Sequence, residues 1–127
     1  MSAATAKCRV LLVEDESLVA MDIEDAVREL GHDVLGPISE LHEAVAAAAD
    51  ESLCCAILDI NIRGGPSYPV ADMLLGRGVP VLLLSGYFEG TLPERLHGVT
   101  LLNKPFTGVQ LTAEIRNLCA RVRHPSQ

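Results

Sequence analysis

The chain is poor in four things, and each shortage narrows what it can be. Its 127 residues hold no apolar run approaching the about 20 residues that a bilayer-spanning helix needs, so no membrane span is expected. The opening stretch Met1-Ser2-Ala3-Ala4-Thr5-Ala6-Lys7 lacks the apolar core of a signal peptide, and a cytoplasmic location is the expectation. Positive charge is scarce: 10 Lys and Arg against 17 Asp and Glu give a formal net charge of −7. Without a basic stripe to displace the counter-ions of a phosphate backbone, no nucleic-acid partner is expected. The four cysteines, Cys8, Cys54, Cys55 and Cys119, show no C-x-x-C spacing, and two of them lie inside an apolar run. They read as buried reduced thiols rather than a disulfide framework or metal ligands. Repeats, linkers and composition shifts are also missing. One domain over 7–122 is therefore expected, with 1–6 and 123–127 as frayed tails.

What is present is apolar substance in a regular pattern. With 49% hydrophobic residues the chain can bury an ordinary core. Short, near-continuous apolar runs at 10–13, 54–58, 81–84 and 99–102 suit strands buried on both faces, and 32–36 gives a weaker edge strand. Helical stripes lie between them. Val19, Ile23, Ala26, Val27 and Leu30 form one, stopped by Gly31; Leu41, Ala44, Val45 and Ala48 form a second, with Ser39 as its cap. Val70, Met73 and Leu74 form a shorter third, opened by Pro69 and ended near Gly76-Arg77-Gly78. In the last, Thr107 to Gln110 reads as a capping box ahead of Leu111, Ile115, Leu118 and Val122. Strict strand–helix alternation implies a parallel α/β sheet with helices on both faces. The segment 86–96, with Gly86, Gly90 and Pro93, permits only a short turn of helix after Thr91 and is expected to be the most mobile part.

Four polar signals stand where strands should end: Glu14-Asp15, Asp59, Ser85 and Lys104. In an open parallel sheet, ligands bind outside the carboxyl ends of the strands, so these positions converge on one pocket. A carboxylate such as Asp59 can attack phosphorus and form an acyl phosphate. Charge repulsion opposes that attack, so a hard cation is needed between the acids and the phosphoryl oxygens. Mg²⁺ favours oxygen ligands, which Glu14, Asp15, Asp59 and the backbone carbonyl of Asn61 offer. Lys104 brings a compact ammonium to one phosphoryl oxygen and Ser85 a hydroxyl to another. Taken singly, each signal has a plain reading: an acidic helix N-terminus, a loop Asp, a Ser-Gly turn, a turn before the last helix. Their joint placement after the first, third, fourth and fifth strands is what points to a site.

Val-Glu-Asp-Glu at 13–16, Leu-Asp-Ile-Asn at 58–61, Leu-Ser-Gly-Tyr at 84–87 and Asn-Lys-Pro-Phe at 103–106 together resemble a bacterial response-regulator receiver domain, over essentially the whole chain. The resemblance implies a flavodoxin-like (βα)5 doubly wound sandwich with strand order 2-1-3-4-5. It implies transfer of a phosphoryl group to Asp59 from a sensor histidine kinase or phosphotransfer protein, with Mg²⁺ held by Glu14, Asp15, Asp59 and the Asn61 carbonyl. Ser85 and Lys104 would contact the phosphoryl group, and the Lys104–Pro105 peptide would be cis. Residues 59–69 and 80–87 are further similar to single-domain receivers marked by Phe-Ala-Thr-Gly-Tyr, of which Leu83-Leu84-Ser85-Gly86-Tyr87 keeps the final half.

One departure bears on signalling. Most receivers carry Phe or Tyr three residues before the lysine, where this chain has Leu101. Tyr87 is the substitute switch candidate, or else a static ring over its loop, and ordering of 86–96 on phosphorylation is the alternative switch. The expected function is a stand-alone phosphoacceptor, not an enzyme beyond its own phosphotransfer and dephosphorylation. It would signal through an unidentified downstream protein or drain phosphate. Two other readings are a scaffold that takes no phosphate and a haloacid-dehalogenase-type phosphatase. The latter needs a second Asp as general acid where Asn61 stands.

Overall fold

In the computed structural model, which describes residues 7–86 and 92–122, the apolar runs at 10–13, 54–58 and 81–84 become strands whose two faces are both covered. The chain runs β1 (Arg9–Val13), α1 (Ser17–Glu29), β2 (Asp33–Ile38), α2 (Leu41–Ala47) and β3 (Cys55–Asp59). A small ribbon, β4 (Asn61–Ile62) and β5 (Gly65–Pro66), precedes α3 (Tyr68–Gly76). Then come β6 (Val81–Ser85), a 3-10 turn at Glu94–Leu96, β7 (Thr100–Asn103) and α4 (Gly108–Ala120). The sheet is parallel in the order β2-β1-β3-β6-β7, which for its five strands in chain order is 2-1-3-4-5. This is the flavodoxin-like doubly wound topology expected from the sequence.

Successive residues of a strand point to opposite faces, and here each face has its own core. Leu11, Val13, Ala56, Leu58, Val81 and Leu83 pack beneath α2, α3 and the 3-10 turn. Val10, Leu12, Cys55, Ile57, Leu82 and Leu84 pack beneath α1 and α4. All twelve are buried. Burying both faces makes every strand end a fixed platform, so side chains just beyond those ends are aimed by the sheet.

Local chemistry sets the element ends, in some places differently from expectation. Ser39 does not cap α2. Glu40 does, its carboxylate accepting the backbone N–H of His42 and Glu43 at 3.0 Å each, while the Ser39 hydroxyl is taken by the Arg63 guanidinium. The long glutamate can fold back onto the helix start that the serine, one residue earlier, does not serve. β2 runs on to Ile38 through an irregular register at Leu11–Val13. Gly36 makes this possible, with φ of 120° and a backbone so close to Leu12 that a Cβ would sit 2.4 Å from its carbonyl oxygen. Pro69 opens α3 as expected, and the Thr107–Gln110 capping box closes reciprocally at 3.0 and 2.8 Å.

The fourth crossover carries only the 3-10 turn, anchored by buried Leu96 and by Arg95, which donates twice to Asp72 at 2.9 Å. Tyr87 and the rest of 87–91, within the stretch expected to be mobile, lie outside the described residues, as do both expected tails. No helix among the described residues is long and apolar enough to cross a membrane.

Candidate functional site

Glu14 is the first residue past β1, and its N–H is tied to the Ile38 carbonyl at 2.9 Å, so the backbone there is fixed. Asp59 ends β3, and the buried Ser67 hydroxyl donates to its carbonyl at 2.7 Å. Lys104 follows β7, held by its N–H to the Ser85 carbonyl at 2.7 Å, and the Lys104–Pro105 peptide is cis as expected. Three strand ends therefore aim three ionisable groups at one point.

The ammonium of Lys104 is the centre of that point. It lies 2.8 Å from Glu14 Oε2, 2.7 Å from Glu16 Oε1 and 3.1 Å from Asp59 Oδ2. The Glu14 and Asp59 side chains are buried, the Lys104 side chain is only 13% exposed, and Glu16 closes the cluster from the solvent side. Burial pushes the Glu14 carboxyl up to about 7; the Lys104 hydrogen bond opposes the shift and the neighbouring Asp59 reinforces it. Burial also penalises the Lys104 ammonium, but hydrogen bonds to Glu14 and Glu16 and the charge of Asp59 carry it above the usual lysine range.

The other sequence-derived residues sit around this cluster. Ser85, at the end of β6, is buried, with its Oγ 3.5 Å from the Gly86 carbonyl. Asp15 is exposed and lines, with Glu14 and Arg63, a cleft of about 360 Å³ beside the cluster. Asn61 is exposed and opens β4 opposite Pro66. Leu101, in mid-β7, is 38% exposed. The structure thus joins Glu14, Asp59 and Lys104 directly and sets Ser85 at the adjoining strand end, with Asp15 and Asn61 at the surface.

Sequence reasoning missed Glu16. Its carboxylate oxygen, with those of Glu14 and Asp59, forms a set whose members lie within 4.8 Å of one another. No sequence signal marks it: Glu16 stands ahead of a helix start, and its extended backbone (φ −95°, ψ 111°) is what sets its side chain on the same side as Glu14. Buried Glu14 and Asp59, with Asp15 lining the same cleft as Glu14, offer oxygen donors of the kind a hard divalent cation takes, so the residues fit Mg²⁺. A second cleft, about 640 Å³, opens past Lys104 between Glu16, Asp22, Gly86 and Phe106.

A doubly wound sheet of order 2-1-3-4-5 with an acid–lysine cluster at its carboxyl edge defines a receiver-type α/β domain. No family model matches the chain. It is similar to the phyllosphere-induced regulator PhyR of Methylorubrum extorquens, 38% identical over 117 residues, covering 89% of this chain and 44% of that protein. The solution structure of SdrG from Sphingomonas melonis Fr1 superposes with a TM-score of 0.77 at 34% identity, covering 94% of this chain and 99% of that one. The receiver domain of sensor histidine kinase PA1611 from Pseudomonas aeruginosa PAO1, solved with a magnesium ion coordinated in its active-site cleft, shares the fold. Its TM-score is 0.72 at 23% identity, covering 91% of this chain and 99% of that one. The chain belongs to the response-regulator receiver domains of two-component systems. It spans about half the length of the curated relatives it matches.

Proposed function

We propose that this domain accepts a phosphoryl group on Asp59 from the phosphohistidine of a sensor histidine kinase or a phosphotransfer protein, in a Mg²⁺-dependent reaction. A carboxylate oxygen of Asp59 attacks phosphorus in line with the departing imidazole nitrogen; the O–P bond forms as the N–P bond breaks. Glu14, Asp15, Asp59 and the Asn61 carbonyl would hold Mg²⁺, which supplies the positive charge that lets an anionic acid meet an anionic phosphoryl group. The residues themselves do the rest. Lys104 pairs with Asp59 in the resting domain and would turn to a phosphoryl oxygen after transfer, while the Ser85 hydroxyl donates to another.

Tyr87 is the switch candidate, since Leu101 offers neither a ring nor a hydroxyl. Output would pass through protein contacts with a downstream partner in the cytoplasm, once phosphorylation orders residues 86–96. NMR that finds this segment equally ordered with and without beryllofluoride would refute the ordering.

The observation that carries the proposal is Lys104 Nζ standing 3.1 Å from Asp59 Oδ2 and 2.8 Å from Glu14 Oε2 at the carboxyl edge of the sheet. Incubation with Mg²⁺ and acetyl phosphate should add the mass of one phosphoryl group, labile to hydroxylamine and lost in Asp59→Asn. No mass gain in the wild-type chain, or gain retained in Asp59→Asn, overturns it.

A further inference from the structure

At the other end of the sheet from Asp59, all four cysteines gather where strands begin. Cys8 precedes β1, Cys54 precedes β3, Cys55 opens it, and Cys119 lies in the last turn of α4. Cys8 and Cys55 are buried, while Cys54 and Cys119 are half-buried. The thiol of Cys119 hydrogen-bonds to those of Cys55 and Cys8, and Cys8 also engages Cys54. A His32 ring nitrogen and the sulfurs of Cys8 and Cys119 lie within 4.8 Å of one another.

Two cysteines and a histidine at this spacing invite a metal-site reading, and His32 argues against it. Its Nδ1 accepts the Cys8 backbone N–H at 3.0 Å. A neutral imidazole has one unprotonated nitrogen, so the proton then sits on Nε2 and no lone pair is left for an ion. What remains is thiol chemistry. We propose that Cys119 and Cys8 are a peroxide-oxidisable pair that closes to an intramolecular disulfide, tying the start of β1 to the end of α4.

Each residue has a part. Hydrogen bonding from Cys55, opposed by burial and supported by Cys8, holds the thiol of half-buried Cys119 below the ordinary cysteine range, which raises its thiolate fraction at neutral pH. Burial pushes Cys8 up to about 12, which keeps it protonated and unreactive toward peroxide. The Cys119 thiolate attacks one oxygen of hydrogen peroxide; the O–O bond breaks, hydroxide leaves, and a sulfenic acid forms. The Cys8 sulfur then attacks the Cys119 sulfur; the S–S bond forms, the S–O bond breaks, and the departing hydroxide takes the Cys8 proton. Two thiols and one peroxide give one disulfide and two waters, the sulfurs losing the two electrons the peroxide gains.

Cys8 rather than Cys55 is the partner because Cys8 lies just before β1, outside the strand ladder, whereas Cys55 lies within β3. Cys55 is pinned by strand bonds on both sides, Cys54 N–H to the Arg9 carbonyl at 2.9 Å and Ala56 N–H to the Pro80 carbonyl at 3.0 Å. Cys119, in the last turn of α4, is the side that yields at least cost, since Cys8 is itself held through its N–H to His32 Nδ1 at 3.0 Å and the Asp33 N–H to its carbonyl at 2.9 Å.

The reduced full chain, treated with equimolar hydrogen peroxide and mapped without reductant, should lose the mass of two hydrogen atoms. A peptide containing Cys8 should be joined to one containing Cys119. Cys119→Ser should abolish the loss, Cys54→Ser should leave it intact, and Cys55→Ala should slow it about tenfold at neutral pH as the thiolate fraction falls. The proposal is overturned by oxygen addition at Cys119 without a cross-link, or by a cross-link to Cys55 instead. A one-to-one Zn²⁺ complex of the reduced chain that is lost in His32→Gln would overturn it too, assigning the cluster to metal ligation. The wild-type peptide map decides even if a variant fails to fold.

Discussion

Lys104 holds three carboxylates apart from one another's charge, two of them buried with it. Removing one partner of a buried ion pair leaves an uncompensated charge, which costs several kcal/mol. Lys104→Met should therefore destabilise the metal-free domain by about 3 kcal/mol in urea unfolding, with Mg²⁺ recovering a larger share of stability in the variant than in the wild type. Equal Mg²⁺ stabilisation of the two would show that ammonium and cation do not share the acids. His32 supplies a pH prediction. Burial lowers its pKa below the ordinary 6.5, although Asp33 pulls the other way, and its Nδ1 must stay unprotonated to accept the Cys8 N–H. Below 6.5 the unfolded chain takes up a proton that the native ring refuses, so stability falls as pH drops through 6.5 toward the depressed native value. Urea midpoints at about pH 7.5 and 5.5 should differ less in His32→Gln than in the wild type. Asp59 and Lys104 were legible because each ends an apolar run. Glu16 was not, because its sequence context marks only a helix start, and its approach to Lys104 depends on an extended backbone angle.

Between residue and fold, capping and turn geometry decide where elements begin. Thr107→Ala should lower stability by about 1 kcal/mol, because it removes one half of a closed capping box. Gly36→Ala should cost more, about 3 kcal/mol, since it combines a φ of 120° with a Cβ 2.4 Å from the Leu12 carbonyl oxygen. Both are read from denaturant midpoints, and a near-neutral Gly36→Ala would mean that β2 slips its register freely. The strands of the sheet and the last helix were readable because apolar runs and a capping box leave marks in sequence. The β4–β5 ribbon left none: a two-residue strand has no period to detect, and Gly64-Gly65, both at positive φ, signals a turn without saying what it joins. The cap of α2 was misplaced by one residue for a similar reason. Ser39 and Glu40 both offer oxygen, and only the fold shows that Arg63 has claimed the serine.

Across the molecule, alternation implied a parallel sheet covered on both faces, while the strand order 2-1-3-4-5 came from the resemblance to receiver domains. Uneven cover was legible as well, since Gly86, Gly90 and Pro93 leave room for only a short turn of helix between the fourth and fifth strands. Four α-helices cloak the sheet, but the β6–β7 connection contributes only a three-residue 3-10 turn among the described residues, and β7 is an edge strand with Leu101 partly exposed. Protection should follow that asymmetry. In hydrogen exchange, amides of β1, β3 and β6 should be the slowest and those of β7 markedly faster, because β7 pairs on one side only. A β7 as protected as β3 would show that this edge opens only with the whole domain.

The ammonium at the middle of the acid cluster also separates two quantities that metalloproteins often couple. A nest of carboxylates that relied on dissolved ions to quench its repulsion would rise and fall in abundance with their supply. Here a counter-ion is covalently built into the chain, so the charge balance the fold needs is present even in ion-poor surroundings; under the proposed function, only responsiveness would wait on what diffuses in.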